Sequence, residues 1–427
     1  MIILNASDPD FESAFSALVE ARRETDADVA ADVAAILSRV RSEGDAALID
    51  LTQRFDGFDL DTEGWSISRD DCAAAYANLE PDLRAALDLA ADRIRAYHAK
   101  QRPANSDWID ATGTRMGARW TAVEAAGLYV PGGRAAYPSS VLMNAIPAKV
   151  AGVERLAMVT PTPKGALNQA VLAAAHIAGV DEIWRVGGAQ AIGALAYGTA
   201  RIAPVDVIVG PGNAWVAEAK RQLYGRVGID MVAGPSEILV VADADNDPAW
   251  IAADLLSQAE HDPTSQSILI ADDAAFAKAV IAAVDALLPT LSTESSARTS
   301  WETHGAVILL DNLSDAPSLI DRLAPEHLEL AVGDPDALFA RVRHAGSVFL
   351  GRHTPEAIGD YLGGPNHVLP TGRRARFASG LSVTDFMKRT SFLSATPASM
   401  AVLGPAAATL ADAEGLPAHA ASVRARL

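Results

Sequence analysis

Residues 156–225 read LAMVTPTPKGALNQAVLAAAHIAGVDEIWRVGGAQAIGALAYGTARIAPVDVIVGPGNAWVAEAKRQLYG, and this stretch decides the fold. Short apolar runs with the character of strands alternate in it with longer alanine-rich runs that have helical spacing. Because successive strands of such a pattern run in the same direction, it predicts a parallel sheet with right-handed crossovers. We predict strands at 156–161, 182–187 and 205–210, separated by helices at 167–179, 189–198 and 213–225.

A second run of the same kind extends to residue 351. The first 125 residues and the tail at 381–427 have mainly helical patterns. We therefore predict an α/β fold with two Rossmann-like parallel-sheet domains in one chain and with helical N-terminal and C-terminal extensions. The strands predicted in the second run are 238–243, 267–272, 306–311, 328–332 and 347–351.

Composition and charge exclude several classes of function. The chain of 427 residues has a net charge of -19, which repels phosphate backbones, so nucleic acid is not an expected partner. No uncharged run reaches the ~18 apolar residues of a membrane span, and the acidic start MIILNASDPDFES lacks the pattern of a signal peptide. The single cysteine, Cys72, excludes an internal disulfide and fits a reducing compartment such as the cytoplasm.

Three glycine-rich turns follow or precede predicted strands: YVPGG at 129–133, VGGAQAIG at 186–193 and GPGN at 210–213. The second lies between a strand and a helix, where a helix N-terminus can receive a pyrophosphate. It does not match the G-x-G-x-x-G fingerprint, and tight packing of strand against helix explains it equally well. Three such turns close together nevertheless favour a nucleotide site at the carboxyl ends of the strands.

Two pairs of side chains have spacings that suit a metal ion or proton transfer. Gln258 and His261 lie three residues apart at the end of a predicted helix, hence on one face, where both could bind a metal. Alternatively, His261 binds no metal and only interacts with the dipole at the end of the helix. Glu326 and His327 combine a carboxylate with an imidazole, as a general base requires. Both face one pocket only if the backbone turns there, and a solvated loop pair is the alternative.

Two further segments carry candidate metal ligands. The segment IGDYLGGPNHVLPT (358–371) presents Asp360 and His367 around a Gly-Gly-Pro turn, and rigid loops of this kind build zinc sites. A carboxylate such as Asp360 at a helix end more often lies on the surface. His419 belongs to the tail sequence LPAHAASVRAR, and the pattern alone predicts that it is exposed.

Nine stretches of the chain resemble the histidinol dehydrogenase family. They occur in the family's order over about 300 residues, which is more specific than any single motif. The first 120 residues or so match the family only in their helical character. The nine stretches are GLYVPGGRAAYPSSVLMNAIPAKVAGV, VGGAQAIGALAYGT, VDVIVGPGNAWV, AGPSEILVVAD, DLLSQAEHD, APEHLEL, GDYLGGPNHVLPT, SGLSVTDFMKRTSF and EGLPAHAASVRAR.

The resemblance implies a four-electron oxidation of L-histidinol through L-histidinaldehyde to L-histidine, with two NAD reduced in turn. It implies that His327 is the base in both steps and that Glu326 activates the water that hydrates the aldehyde. One Zn²⁺ per subunit would hold the imidazole and amino nitrogens of the substrate. The lack of a plausible catalytic cysteine agrees, because an activated water replaces a thiohemiacetal in the second step.

Carried over position by position, the resemblance implies three groups of binding residues. The zinc ligands are Gln258, His261, Asp360 and His419. The substrate contacts are Ser236, Gln258, His261, His327, Asp360, His367, Glu414 and His419. The NAD contacts are Tyr129, Gln190 and Asn213.

The resemblance also implies how the chain is organised. In the family the tail reaches into the second subunit, so we expect a cytoplasmic homodimer with shared active sites. The expected parts are an N-terminal helical arm at 1–24, a first α/β domain at 25–128 and 238–380 that carries the metal and catalytic residues, a second α/β domain at 129–237 that carries the NAD contacts, and a helical tail at 381–427 that docks on the partner subunit.

Three other functions stay open from the sequence alone. The first is a dehydrogenase of another small alcohol on the same scaffold, such as a sulfonated diol, although Glu414 and His419 match the histidinol type of tail. The second is a zinc hydrolase in which Glu326 activates water, which would leave the glycine-rich turns without a role. The third is a two-lobed binding protein without catalysis, which would be expected to carry a secretion signal.

Overall fold

The computed structural model describes residues 1–21, 29–132, 137–232 and 234–427. Two sheets of six strands and one sheet of three strands organise these ranges. Numbered along the chain, the strands are β1 (Ile2–Asn5), β2 (Ser66–Ile67), β3 (Ser106–Ile109), β4 (Arg115–Ala122), β5 (Ala125–Tyr129), β6 (Arg155–Val159), β7 (Glu182–Trp184), β8 (Val207–Val209), β9 (Gly228–Ile229), β10 (Glu237–Ala242), β11 (Gln266–Ala271), β12 (Ala306–Leu309), β13 (His327–Ala331), β14 (Ser347–Leu350) and β15 (Met387–Ser394).

Helices connect the strands, and several begin at a side chain that caps the first turn. At the helix that starts with Gln169, for example, the Asn168 side chain accepts two backbone N–H groups. The α-helices are α1 (Phe11–Glu20), α2 (Ala30–Glu43), α3 (Asp45–Asp56), α4 (Leu60–Glu63), α5 (Arg69–Ala77), α6 (Pro81–Ala99), α7 (Pro138–Ala151), α8 (Gln169–Ala178), α9 (Gly188–Tyr197), α10 (Ala214–Leu223), α11 (Pro248–Ala259), α12 (Ala274–Leu287), α13 (Glu294–His304), α14 (Ala316–Leu323), α15 (Pro335–Phe339), α16 (Glu356–Tyr361), α17 (Pro397–Ala413) and α18 (Pro417–Arg424). Short 3-10 helices cover Pro163–Gly165, Leu288–Thr290, Leu313–Asp315, Arg374–Arg376 and Val383–Phe386.

Sheet I has the strand order β2-β7-β6-β5-β8-β9, and every pair except β2–β7 is parallel. The alternating pattern of residues 156–225 therefore predicted its parallel core, and this prediction is confirmed. From β5 the chain winds outward to β6 and β7, then returns to form β8 and β9 on the other side. The topological switch point, where ligands bind in open α/β sheets, thus lies between β5 and β8.

Sheet II has the strand order β1-β12-β11-β10-β13-β14 and is parallel throughout. All residues of its central strands β10 and β11 are buried, because helices pack on both faces of the sheet. Its switch point lies between β10 and β13. The predicted fold class, two Rossmann-like parallel-sheet units in one chain, is confirmed.

The packing differs from the expected division into domains in two places. Strand β1, in the arm predicted to be helical, pairs with β12 at the edge of sheet II. In the described part of 25–128, β2 pairs with β7 and apolar side chains of α2 and α3 cover one face of sheet I, while α6 also contacts the loop after α16, where Arg93 donates to the Gly363 carbonyl at 3.3 Å. The predicted boundary between residues 24 and 25 lies outside the described residues.

The tail is not wholly helical, because a strand follows the short 3-10 helix near its start. Strand β15 pairs with β4 over eight residues in the antiparallel three-stranded sheet β15-β4-β3. Helices α17 and α18 then pack on each other around a small core of Ala408, Ala411 and Ala420. Val402 and Leu410 on α17 remain 61% and 65% exposed, so one chain leaves much of this apolar surface uncovered. In the described part of the chain, no helix is both long and apolar enough to cross a membrane.

Candidate active site

A cleft of about 360 Å³ lies where the two large sheets meet. One wall is the carboxyl edge of sheet I, with the loop 210–213 that follows β8. The other wall is the amino edge of sheet II, with Ser236 before β10 and Glu326 before β13. Ligands of open α/β sheets usually bind at the carboxyl ends of the strands. In sheet II the candidate catalytic residues lie instead at the amino ends.

His327 begins β13 and is 4% exposed. Its Nδ1 lies 3.0 Å from the backbone carbonyl of Glu237, which can only accept a hydrogen bond, so Nδ1 carries the proton. The other ring nitrogen, Nε2, is buried without a hydrogen-bond partner among the described residues. Burial lowers the pKa of His327. The imidazole is therefore neutral near pH 7 and keeps a free lone pair on Nε2.

Glu237, the first residue of β10, holds Glu326 beside His327. The N–H of Glu237 donates to Glu326 Oε2 at 2.9 Å, while the carbonyl of Glu237 accepts from His327. Both neighbours line this one cleft, and Ala324, two residues before Glu326, adopts φ 47° in the left-handed region. Burial raises the pKa of Glu326 well above its ordinary value, although the hydrogen bond from Glu237 opposes this shift. The alternative of a solvated loop pair is thus excluded, because both side chains are buried.

Gln258 and His261 lie at the end of α11 and both line the cleft. Their side chains lie 3.1 Å apart between Gln258 Nε2 and His261 Nδ1, as expected for residues on one helical face. The Oε1 atom of Gln258 is buried and has no hydrogen-bond partner in the described part of the chain. A buried carbonyl oxygen without a donor is costly, so a cation at this point would stabilise it.

Asp360 and His367 complete the same wall of the cleft. His367 Nδ1 lies 3.1 Å from the backbone oxygen of Asp360, which fixes the imidazole against α16. Burial lowers the pKa of His367 to about 4, so this ring is neutral. Burial, together with the neighbouring Glu356, raises the pKa of Asp360 to about 8. The Asp360 side chain is 17% exposed, so the interpretation of a surface carboxylate is wrong.

Sequence reasoning missed Glu356, which the structure brings to the back of the cleft. Its side chain is 2% exposed, its Oε2 accepts from Ser257 Oγ at 3.0 Å, and its Oε1 lies 3.6 Å from His327 Nε2. Glu356 and Asp360 are four residues apart on α16, and this spacing could have identified the pair. Ligand atoms of His327, Glu356 and Asp360 all lie within 4.8 Å of one another. This wall therefore has the donors that a cation needs.

Two more carboxyl groups, Glu329 and Asp254, lie behind Glu356. Burial and the nearby carboxylates raise the pKa of Glu329 to about 9, and burial raises that of Asp254 to about 6. No sequence motif marked either of them. With Asp262, Glu326 and Asp360 in its lining, the cleft is rich in carboxyl groups, and a bound cation would favour their ionised forms.

The three residues expected to contact NAD surround the switch point of sheet I. The N–H of Gly188 donates to the hydroxyl of Tyr129 at 3.2 Å, which ties the end of β5 to the start of α9. Gln190, in the first turn of α9, is 2% exposed. Asn213 lines the cleft and caps α10, where its Oδ1 accepts two N–H groups. Tyr129 and Gln190 do not line the cleft itself, and Gly133 of the first predicted turn lies outside the described residues.

Two of the predicted site residues, Glu414 and His419, do not line the cleft of their own chain. Both are exposed at the junction of α17 and α18. Ser236, by contrast, lines the cleft at the start of β10. Cys72 is buried, and burial raises its pKa to about 11, so its thiol is unreactive as predicted.

Comparison with known proteins gives matches over both sheets and the tail. A family model described as histidinol dehydrogenase matches residues 19–427. The histidinol dehydrogenase of Zymomonas mobilis subsp. mobilis is 65% identical over 427 residues, which cover 100% of this chain and 99% of that protein. That of Rhodospirillum rubrum is 64% identical over 425 residues, covering 99% and 98%. The crystal structure of the enzyme from Elizabethkingia anophelis matches with a TM-score of 0.95 at 36% identity, covering 100% and 98%.

Proposed function

The chain belongs to the histidinol dehydrogenase family, and from this premise we propose how its own residues oxidise L-histidinol to L-histidine with NAD. The function in histidine biosynthesis follows from the family. The observation that carries the mechanism is the buried Nε2 of His327, which has no hydrogen-bond partner among the described residues and lies in a cleft beside Glu326. The carboxyl groups of the cleft can accept hydrogen bonds from a protonated amine, whereas an anionic substrate such as a sulfonated diol gains no such contact from them. We place the activity in the cytoplasm, where amino-acid biosynthesis has its supply of NAD.

Zinc fits three donors of one chain: the amide oxygen of Gln258, the imidazole of His261 and the carboxylate of Asp360. All three side chains line the cleft, and the Gln258 oxygen is buried with no donor in the part of the chain that the structure describes. These donor types are ones that zinc accepts, and a catalytic zinc keeps a position for substrate. When bound, the ion would orient the substrate through its imidazole and amino nitrogens. We propose Ser236 and His367, which line the same cleft, as substrate contacts.

His327 acts as the base in both oxidation steps. In the first step its Nε2 takes the hydroxyl proton of histidinol as hydride leaves the adjacent carbon for NAD, which yields the aldehyde, NADH and an imidazolium. The Nδ1–H bond to Glu237 holds the ring in the tautomer that this step requires. After the proton is released, the same nitrogen takes a hydroxyl proton from the hydrated aldehyde as the second hydride leaves.

Glu326 acts between the two hydride transfers. Its carboxylate takes a proton from water as the water oxygen adds to the aldehyde carbon, and the carboxyl then returns that proton to the former carbonyl oxygen, which completes the hydrate. A carboxyl with a raised pKa is a stronger base than an exposed one, provided that it is ionised when water is present. The hydrogen bond from the Glu237 N–H to Oε2 favours that ionised form.

NAD would bind at the carboxyl edge of sheet I, in the crevice between β5 and β8. Tyr129 ends β5, Gln190 lies in the first turn of α9, and Asn213 precedes α10, so all three belong to this edge. The N-termini of both helices point toward the crevice and favour a negatively charged pyrophosphate. This arrangement brings the cofactor to the mouth of the cleft that contains His327.

The fourth zinc ligand, His419, and the substrate contact Glu414 would come from the partner subunit of a homodimer. Within one chain both residues are exposed and do not line the cleft. The tail has a core of three buried alanines, too small to fold alone, and it exposes Val402 and Leu410. Docking of this surface on a second copy would bury it and would bring each tail to the other subunit's cleft.

The stoichiometry of cofactor reduction tests the proposed function. We expect two NADH per histidinol and no aldehyde in solution, because a closed site retains the reactive intermediate. A limiting amount of histidinol is incubated with excess NAD and a carbonyl reagent that traps free aldehyde. One NADH per histidinol, with trapped aldehyde in equal amount, would contradict a two-step oxidation in one site.

The Glu326→Gln substitution should impair the aldehyde step more than the alcohol step, since water is activated only after the first hydride has left. We expect a loss of about 10²-fold with histidinaldehyde and a much smaller loss with histidinol in single-turnover reduction of one NAD. Glu302→Gln, on the surface of α13, is the control. Equal losses in the two steps would show that Glu326 does not have the role assigned to it.

A further inference from the structure

A buried ion pair beside the cleft has no part in the chemistry described so far. Lys220 on α10 and Asp230 after β9 contact each other with side chains that are only 3% and 1% exposed. Both residues line the cleft, and Lys220 is the only lysine or arginine among the described residues that do so. Burying two charges costs desolvation energy that their attraction often does not recover, so such a pair suggests a function other than stability.

The pair holds a single residue, Gly210, by both of its backbone groups. Asp230 Oδ2 accepts the N–H of Gly210 at 2.8 Å, and Lys220 Nζ donates to the Gly210 carbonyl at 3.0 Å. Gly210 follows β8 with φ 114°, and a Cβ atom there would lie 2.2 Å from the carbonyl oxygen of Tyr129. The pair therefore fixes the backbone at the switch point of sheet I, in direct contact with the end of β5.

The fixed residue leads directly into the loop that faces the cofactor crevice. Asn213, three residues later, uses its Oδ1 to accept the N–H groups of Trp215 and Val216, so its amide NH₂ remains to donate to a ligand. The direction in which that NH₂ points depends on the backbone conformation of Gly210, where the loop 210–213 leaves β8. An unfixed loop would have to be ordered by the ligand itself, which reduces affinity.

We propose that Lys220 and Asp230 are positioning residues for NAD, which hold Gly210 so that the loop 210–213 is ordered before the cofactor binds. The proposal rests on the proposed NAD site at the carboxyl edge of sheet I. Because Asp230 neutralises Lys220, the pair adds no net charge to the cleft. Its effect on NAD is therefore geometric and does not depend on attraction between Lys220 and the pyrophosphate.

The double variant K220M/D230N tests this role, because it removes both charges together and leaves neither one buried alone. The matched control is K149M/D181N. Lys149 Nζ and Asp181 Oδ2 also form a partly buried pair, at 2.7 Å, and Asp181 accepts the N–H of Leu156. That pair braces sheet I at the amino end of β6, at the edge opposite to the cofactor crevice.

Binding of NAD to the zinc-loaded enzyme is measured by calorimetry, together with kcat at saturating NAD and the melting temperature. We expect K220M/D230N to raise the Kd for NAD about tenfold or more, at both low and high salt, with kcat at saturation within about threefold of wild type. The control should leave the Kd for NAD within about twofold. A folded K220M/D230N enzyme with an unchanged Kd overturns the proposal, and a loss that vanishes at high salt overturns its geometric basis.

Two further variants cover the cases in which K220M/D230N does not fold or in which the proposed NAD site itself is wrong. If K220M/D230N does not fold, K220Q/D230N keeps both positions polar and is read by the same criteria. Asn213→Ala, which removes a proposed NAD contact, separates this proposal from the proposed function. If Asn213→Ala weakens NAD binding and the double variant does not, only the positioning role fails. If neither variant weakens it, the NAD site itself is elsewhere and both fail.

Discussion

Replacement of His327 by asparagine is expected to slow both oxidation steps by about 10²- to 10⁴-fold, because one imidazole nitrogen takes a proton in each step. The neutral ring keeps its lone pair on Nε2, since Nδ1 donates to the Glu237 carbonyl. Burial lowers the pKa of this histidine, so the base stays available as the pH falls below the ordinary titration range of an imidazole. Asparagine can keep a hydrogen bond to Glu237 but has no basic nitrogen.

Each step is measured separately, with histidinol and with histidinaldehyde as substrate. His353→Asn is the matched control, because His353 is exposed and does not line the cleft. We expect the control to retain wild-type rates in both steps and the His327 variant to retain its binding of zinc and NAD. A loss of less than about tenfold in either step would show that another group is the base there.

The sequence predicted the parts of the fold that have local signatures. Residues 156–225 contain strands that are buried on both faces and helices of regular length, so their alternation is visible without any knowledge of long-range contacts. Strand β1 was missed because its four residues are defined by pairing with β12, about 300 residues away. Strand β15 was missed for the same reason, since it forms by pairing with β4. The packing of α2 and α3 on sheet I also depends on contacts that no local pattern reveals.

In the candidate site too, the sequence predicted what depends on local spacing and missed what depends on contacts between distant segments. The helical spacing of Gln258 and His261 predicted that they share a face, and their side chains are in contact. That Glu326 and His327 are held together depends on Glu237, about 90 residues earlier in the chain, whose N–H and carbonyl contact the two side chains. Glu356 was missed because an acidic residue in the first turn of a helix is ordinary and does not by itself indicate an active site.

We propose that each active site takes His419 from the partner subunit and its other zinc ligands from one chain. His261→Asn and His419→Asn should each abolish activity, because each removes a proposed zinc ligand from every site of its own homodimer. In a mixed dimer with shared sites, one site receives both defects and the other receives none. Random mixing makes about half of the dimers mixed, so up to roughly a quarter of all sites should be intact.

The decisive measurement is therefore the activity and zinc content of the two inactive variants after they are unfolded and refolded together. His261→Asn mixed with Asp360→Asn is the control, because these ligands belong to the same chain's cleft and every site keeps a defect. We expect recovery of up to about a quarter of wild-type activity in the first mixture and none in the control. If mixed dimers form and the first mixture is no more active than its separate components, His419 does not reach the partner's site and the active sites are not shared.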